Sequence, residues 1–174
     1  MHEFEFTLVV DGPVEDEQVI DKLYEARCSD ATIGSVDGAG YLDFHREAPS
    51  FSEAVLSAIE NVESVPGLRV VRVEPDDLVT MAEIADRLGR TRESVRLLIT
   101  GRRGKGGFPA PISHLRSRSR LWRWSEVAQW AAVGTPDERH RARFVAALNA
   151  ALELRRQREE LGADERAGVE AIAG

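Results

Sequence analysis

Two short helical segments around one glycine, in residues 80–99, limit the fold of this chain more than any other feature of its sequence. Thr80 followed by Glu83 is the pattern of a capping box, in which the hydroxyl and the carboxylate each accept a backbone N–H at the start of a helix. Apolar residues then recur at helical spacing, and Gly89 suits the left-handed conformation in which helices end. Thr91 is a further N-cap residue. The pattern predicts two helices joined by a tight turn.

The second of these helices has an apolar inner face and a polar outer face. Val95, Leu98 and Ile99 fall on the inner face, which leaves the polar residues at the start of the helix directed outward. In a helix-turn-helix, side chains in this position contact base edges in the major groove. Five residues are therefore candidate DNA contacts: Thr91, Arg92, Glu93, Ser94 and Arg96.

These candidates differ in the contacts that their chemistry allows. Arg92 and Arg96 lie one helical turn apart, and arginine suits bidentate contact with guanine O6 and N7. Glu93 either accepts a hydrogen bond from a cytosine amine or pairs with a neighbouring arginine. Thr91 and Ser94 either contact phosphates or bases, or only cap the helix.

The residues after the second helix predict a hairpin and a third helix. The glycine-rich segment 101–107 cannot continue a helix, and the prolines of residues 108–111 favour an extended chain. We expect residues 111–115 to pair with residues 120–124 as a small hairpin, or wing. Ser125 then caps a third helix.

Four motifs in this order resemble the winged helix-turn-helix of the MerR superfamily, above all its AlpA-like and excisionase-like DNA-binding proteins: AEIADRLG, TRESVRLLI, FPAPI and WRWSEVAQW. The resemblance covers about a third of the chain. It implies a DNA-binding domain over residues 78–133 and a role in transcription regulation. The basic, glycine-rich segment 102–107 is an insert that is longer than the family pattern.

Charge is distributed unevenly along the chain, whose net charge is −7. Residues 78–133 hold ten arginines and one lysine against four acidic residues, whereas residues 1–77 hold five basic and eighteen acidic residues. Positive charge concentrated in one region attracts nucleic-acid phosphates. We expect double-stranded DNA as the partner of the central region.

Six further basic residues are candidate DNA contacts outside the second helix. Those of the predicted wing alternate with serines, so we expect them on one side of it, against phosphates or in the minor groove. Those of the insert are expected to make sequence-independent phosphate contacts. The two groups are Arg116, Arg118 and Arg120 in the wing, and Arg102, Arg103 and Lys105 in the insert. The three tryptophans, Trp122, Trp124 and Trp130, are interpreted as core.

The first 75 residues predict an acidic α+β domain. Phe4–Val10 alternate as a strand, residues 15–27 are helical, and a turn at Asp37–Gly38 joins two further strands. A helix capped by Ser52 and a strand over residues 68–73 complete the order β-α-β-β-α-β, that of a ferredoxin-like sandwich. Three roles remain open for it: a small-effector sensor, pairing through an edge strand, or a scaffold. We favour protein interaction or dimerisation.

A long helix is predicted over residues 135–162, begun by a capping box of Thr135 and Glu138 and followed by a frayed tail over residues 163–174. One stripe of this helix is apolar: Phe144, Val145, Leu148, Ala151, Leu152 and Arg155 at its end. The stripe is either the seam of a homodimer, which we favour, or a face that packs on the chain's own domains.

The remaining features predict absences. Cys28 is the only cysteine and is interpreted as half-buried, the four histidines lack ligand spacing, and no pair of acids is placed for catalysis. We therefore expect no cofactor, metal or enzyme activity. No signal peptide or membrane span is predicted, and the expected location is cytoplasmic. The leading hypothesis is a dimeric, sequence-specific regulator; the alternatives are an excisionase-like architectural factor and an antitoxin-like interaction adaptor.

Overall fold

In a computed structural model, which describes residues 1–158 and 160–173, the chain is a mixed α+β protein. The described residues form seven helices, a four-stranded antiparallel sheet and a two-stranded sheet. The chain divides into two compact units. The sheet unit comprises Met1–Glu74 and the segment from Ala147 onward, and the central unit comprises Pro75–Ala146. None of the helices within the described ranges is long and apolar enough to cross a membrane.

The sheet unit begins with six elements in the order β-α-β-β-α-β. They are β1 (His2–Asp11), α1 (Glu17–Glu25), β2 (Ala31–Val36), β3 (Ala39–Ala48), α2 (Phe51–Glu63) and β4 (Arg69–Glu74). The strands lie in the order β2-β3-β1-β4, and all neighbours are antiparallel. The turn between β2 and β3 has positive φ at Asp37 and Gly38, which matches the twist of an antiparallel hairpin.

Alternation along β1 builds the core of the sheet unit. Its even-numbered residues from Phe4 to Val10 are buried, whereas Glu3 and Glu5 are exposed. Phe6 lies opposite Phe44 of β3, and their rings stack with centroids 5.3 Å apart. Helix α2 buries six apolar residues over its length. Burial of one face of the sheet beneath a helix is what the period-two pattern predicts.

Helix α2 begins two residues earlier than the sequence predicted. Ser50, not Ser52, is the N-cap residue: its backbone is extended, and its hydroxyl accepts the N–H of Glu53 at 3.2 Å. The prediction failed because Phe51 already belongs to the helix and is buried. A serine in front of a buried aromatic residue therefore sets the start of the helix.

A buried arginine joins the end of α1 to the sheet. The Arg46 guanidinium donates to both carboxylate oxygens of Asp30, at 2.7 and 2.9 Å, and to the carbonyl of Arg27. Cys28 lies beside this network and is fully buried rather than half-buried as predicted. Burial raises the pKa of the Cys28 thiol to about 11. The thiol is therefore protonated at neutral pH.

Helix α6 (Pro136–Gln157) begins in the central unit and ends in the sheet unit, where it covers the outer edge of β4. The buried Asn149 side chain accepts the N–H of Val73 at 2.8 Å and donates to its carbonyl at 2.9 Å. Arg155 pairs with both oxygens of Glu63 and donates to the carbonyl of Val70. Side-chain groups thus replace the missing neighbouring strand.

The stripe predicted as a dimer seam is therefore used largely inside the chain. Leu152 is buried, and Arg155 is paired with the sheet unit as described, while Ala151 is exposed. For this part of the helix the structure follows the alternative, packing on the chain's own domain. The reason is that Asn149, a buried polar residue beside the stripe, has its partners on β4.

The C-terminal region differs from its prediction in two ways. Helix α6 ends at Gln157 and not near Leu161, although its predicted capping box is present: Thr135 N–H donates to Glu138, and Glu138 N–H to the Thr135 hydroxyl. Residues predicted as a frayed tail form helix α7 (Ala163–Ala173). Asp164 and Glu165 in its first turn favour a helix start through the helix dipole. Gly174 lies outside the described residues.

The central unit consists of five short elements and the start of α6. The five are β5 (Leu78–Thr80), α3 (Met81–Arg87), α4 (Arg92–Ile99), β6 (Leu121–Arg123) and α5 (Trp124–Ala131). Its core is a single cluster of buried residues: Val79, Ile84, Ala85, Val95, Trp122 and Val127. Each element except α6 contributes to this cluster, so the two-stranded sheet and the three short helices pack around one centre.

The hairpin predicted as a wing is only partly present. Residues 111–115 form no strand; the pairing is reduced to one bridge between Ser113 and Leu121, with Ile112 N–H donating to the Leu121 carbonyl. Strand β6 pairs instead with β5, which the sequence did not predict as a strand. The reason is that β5 buries Val79 beside Trp122, whereas Ile112 and Leu115 are exposed and gain no burial from pairing.

Candidate nucleic-acid interface

Helices α3 and α4 are joined as the sequence predicted. Both bonds of the capping box are present, with Thr80 N–H donating to Glu83 at 2.7 Å and Glu83 N–H to the Thr80 hydroxyl at 3.3 Å. The first of these bonds is the main reason that the pKa of Glu83 is lowered. After α3, Gly89 has φ +60°, and Thr91 caps α4 by accepting the N–H of Ser94. The turn is therefore fixed at one end by the left-handed Gly89, which follows α3, and at the other by the Thr91 side chain, which caps α4.

The outer face of α4 is open. Arg92 is exposed, and among residues 1–158 and 160–173 its side chain has no hydrogen-bond or ion-pair partner. Val95 faces the core of the central unit, and Leu98 is also buried. Amphipathic packing of this short helix thus leaves the arginine at its first turn free to contact a ligand.

Arg96 lies on the same exposed face but is already paired. Its guanidinium donates to both oxygens of Glu93, at 2.8 and 2.6 Å. This hydrogen bonding lowers the pKa of Glu93 and raises that of Arg96. The structure therefore places Glu93 against its neighbouring arginine, one of the two contacts expected for it. Contact between Arg96 and a guanine requires this pair to open or rotate.

Thr91 and Ser94, the two hydroxyl candidates, have different surroundings. The Thr91 hydroxyl accepts the N–H of Ser94, so Thr91 acts as the cap that was its simpler interpretation. Thr91 is exposed, whereas Ser94 is half-buried. Thr91 remains accessible at the start of α4, beside Arg92.

The basic insert folds back instead of extending from the domain. Gly101 has φ +67°, and the N–H groups of Arg102 and Arg103 donate to the carbonyl of Leu97, which caps the end of α4. The side chains of both arginines are exposed. Lys105 is held against Trp130, with its ammonium bonded to the Trp130 carbonyl and 5.1 Å from the ring centroid. The path of the insert is thus set by α4 and α5.

The three arginines predicted for the wing lie in and beside an exposed loop. Residues 115–119 are turn and bend, so side-chain alternation along a strand does not apply to Arg116 and Arg118 as the sequence predicted. Both are exposed, and Arg120 lies with its guanidinium carbon 5.9 Å from the centroid of Trp122. The loop therefore carries positive charge at its tip, but no strand directs its arginine side chains to one side.

Asp77 is the structural residue that the sequence reasoning missed. It lies between the two predicted domains, residues 1–75 and 78–133, but it is 1% exposed and caps α5 although it is 48 residues away in sequence: its carboxylate accepts the N–H of Ser125 at 2.7 Å and the Ser125 hydroxyl at 3.1 Å. Ser125 is therefore inside α5 and does not cap it, contrary to the prediction. The signal available in the sequence was a helix start at Trp124 that lacks a local capping residue.

Trp122 and Trp124 belong to the core as expected, whereas Trp130 is half-buried and lies outside the core cluster. Trp122 is 2% exposed at the centre of the central unit's core. Trp124 packs against the same core and lies under Arg87, and Trp130 packs on Phe108 with ring centroids 4.9 Å apart. The Trp130 indole N–H donates to the Gly106 carbonyl at 2.8 Å. These contacts leave the interface without an aromatic stacking surface built from tryptophan.

Comparison of the chain with models of known protein families, with curated proteins and with solved structures finds no match. The chemistry of this surface follows from its own residues. They supply the open outer face of α4, the exposed loop that carries Arg116 and Arg118, and the exposed arginines of the insert. Such a set can bind phosphate groups, and Arg92 of α4, whose side chain has no partner among the described residues, can bind a planar hydrogen-bond acceptor pair.

Proposed function

We propose that the chain is a sequence-specific double-stranded DNA-binding protein that regulates transcription as a dimer. The observation that carries this proposal is the open outer face of α4, where Thr91, Arg92 and Arg96 are exposed beside the turn that Gly89 and Thr91 fix. A second helix with this position and exposure is what a helix-turn-helix inserts into the major groove.

The proposed architecture is a winged helix-turn-helix of the MerR-superfamily kind, preceded by a ferredoxin-like sandwich. The winged helix-turn-helix is supported by the order of β5, α3, α4, β6 and α5 and by the bridge between Ser113 and Leu121. The ferredoxin-like sandwich is supported by the antiparallel strand order β2-β3-β1-β4. The segment around Arg116 and Arg118 would serve as a short wing.

The charges of the central region support the same partner. Five of its arginines are exposed, and within the described part of the chain their side chains have no hydrogen-bonded or ion-paired partner: Arg90, Arg92, Arg103, Arg116 and Arg118. Surface arginines of this kind contribute little to stability, but they release counterions when they meet phosphates. The exposed Arg102 adds to this set.

Dimerisation would use a surface other than the α6 stripe. Strand β2 lies at the edge of the four-stranded sheet, and none of its six residues is charged. The opposite edge, β4, is covered by Asn149 and Arg155. An uncharged edge strand is a template for pairing with another chain. The same edge also favours the second candidate function, a protein-interaction adaptor that works through the sheet unit.

A selection of bound sites from random duplexes, followed by fluorescence anisotropy on the selected site, tests the proposal. We expect a preferred sequence with two-fold symmetry and a steep loss of affinity as salt rises. The variant Arg92→Ala/Arg96→Ala should weaken binding to the selected site by about 100-fold and reduce the preference over random DNA.

The matched control is Lys22→Ala/Arg156→Ala, which removes two exposed positive charges outside the central unit. It should change affinity by less than about threefold, because neither charge lies on the proposed surface. Equal losses in the two double variants, or binding that ignores salt, would reject the helix α4 interface. Bound DNA that bends strongly would favour the architectural alternative over a regulator.

A further inference from the structure

A pocket of about 400 Å³ lies within the central unit, beside the last turn of α4. Its walls come from four places: the turn between α3 and α4, the last turn of α4, the insert, and the C-terminal end of α5. The residues that define its chemistry are Leu88, Arg90, Leu98, Arg103, Lys105 and Trp130. This volume falls in the lower part of the range for small-molecule sites, about 300–1,000 Å³.

The pocket combines an apolar wall with three positive charges. Leu88, Leu98 and Trp130 supply the apolar part, and none of the described residues that line the pocket is acidic. Arg90 and Arg103 have no hydrogen-bond or ion-pair partner for their side chains within the described ranges. Two unpaired guanidinium groups beside an apolar wall favour a ligand that has an anionic group and an apolar body.

The insert is built to form this wall. Gly104 has φ +83°, and a Cβ atom at its position would lie 2.8 Å from Cδ2 of Leu98. Lys105 is held by the Trp130 carbonyl and ring, which fixes the far side of the pocket. The insert that departs from the pattern of the resembled family is thus the element that closes the pocket.

We propose that this pocket binds a small aromatic carboxylate or a similar organic anion, with the ring against Leu98 and Trp130 and the charge on Arg90 and Arg103. Binding of this anion goes beyond DNA binding and does not depend on it; only its effect on DNA affinity rests on the proposed function. Because Arg103 would also contact DNA phosphates in the function proposed above, the anion would act as an effector that lowers affinity for DNA.

The test uses the full chain without DNA, labelled with ¹⁵N so that the indole N–H of each tryptophan gives its own signal. The probes are 2-naphthoate and its uncharged counterpart 2-naphthamide. We expect naphthoate to shift the Trp130 signal in a saturable manner, and naphthamide to bind at least about tenfold more weakly, because it lacks the charge-assisted bonds. Inorganic phosphate at the same concentration should leave Trp130 largely unchanged.

The variant Arg103→Gln should weaken naphthoate binding about tenfold, whereas Arg118→Gln, which removes the same charge from the exposed loop, should not. Equal effects of the two variants, equal binding of the acid and the amide, or no shift of Trp130 would overturn the proposal. A shift of Trp130 by inorganic phosphate as strong as that by naphthoate would also overturn it, because the apolar wall would then have no role. None of these readouts requires DNA binding, so failure here and failure of the DNA-binding proposal are distinguishable.

Discussion

The sheet unit and the central unit use their charged side chains in opposite ways. In the sheet unit, Arg46 and Arg155 are tied to Asp30 and Glu63 in bidentate pairs that also bond backbone carbonyls. In the central unit, five arginines, among them Arg92, are exposed without a partner in the parts of the chain that the structure describes. Charge in the first unit holds elements together, whereas charge in the second is available to a ligand.

Each unit nevertheless depends on one buried polar residue that joins parts of the chain far apart in sequence. Asp77 caps α5 through Ser125 in the central unit, and Asn149 completes the edge of β4 through Val73 in the sheet unit. Substitution of either residue therefore tests the contrast between the units.

The three tryptophans all lie in the central unit, and the single cysteine lies in the sheet unit, so each unit carries its own probe of unfolding.

Asp77→Ala should have the largest effect on stability, a loss of about 3 kcal/mol in the central unit. The substitution removes a charged acceptor and leaves the buried N–H of Ser125 without its partner. Urea unfolding followed by tryptophan fluorescence measures the loss. Asp86→Ala, which removes an exposed carboxylate from α3, should change stability by less than about 0.5 kcal/mol. A similar small change in both variants would contradict the capping role of Asp77.

Asn149→Ala should cost about 2 kcal/mol, and the cost should be seen first in the sheet unit. The N–H and the carbonyl of Val73 would lose both of their hydrogen bonds to the side chain. The rate at which a thiol reagent labels Cys28 in the native protein reports the opening of this unit. Gln157→Ala removes an exposed amide from the same helix and should leave labelling unchanged. Labelling that is equally slow in both variants would show that the edge does not need Asn149.

Stability of the sheet unit should fall as the pH rises from 9 to 11 in a way that depends on Cys28. Burial raises the pKa of this thiol from 9.0 to about 11, so the folded chain keeps its proton while the unfolded chain loses it. The contribution is therefore complete below pH 9 and is lost as the pH approaches 11. Denaturation curves of the wild type and Cys28→Ala over this range measure it. Parallel pH dependences in the two proteins would disprove it.

Glu93→Gln should have the smallest effect, a gain of about threefold in affinity for random duplex DNA at low salt. It removes one negative charge and releases Arg96 from its bidentate pair. Lowering the pH to 5 should not substitute for the mutation, because the bond from Arg96 lowers the pKa of Glu93 and keeps it ionised. Glu126→Gln, on the exposed start of α5, controls for charge alone. An equal gain in Glu93→Gln and Glu126→Gln would contradict the release of Arg96 as its cause.

Local patterns determined most of the elements. The capping boxes at Thr80 and Thr135, the left-handed Gly89 and the alternation from Phe4 to Val10 each depend on neighbours a few residues away, so the sequence predicted them correctly. Such signals are encoded within one turn of helix or one strand, and they need no knowledge of the rest of the chain.

Tertiary structure decided the contacts that join distant segments. The pairing of β5 with β6, the cap that Asp77 supplies to α5 and the use of Asn149 against β4 connect residues about 40 to 76 positions apart. In the sequence, Asp77 is one acid between two predicted domains, and Asn149 is one polar residue beside an apolar stripe. Their roles exist only once folding buries them, because a buried polar group must find a partner wherever the chain brings one.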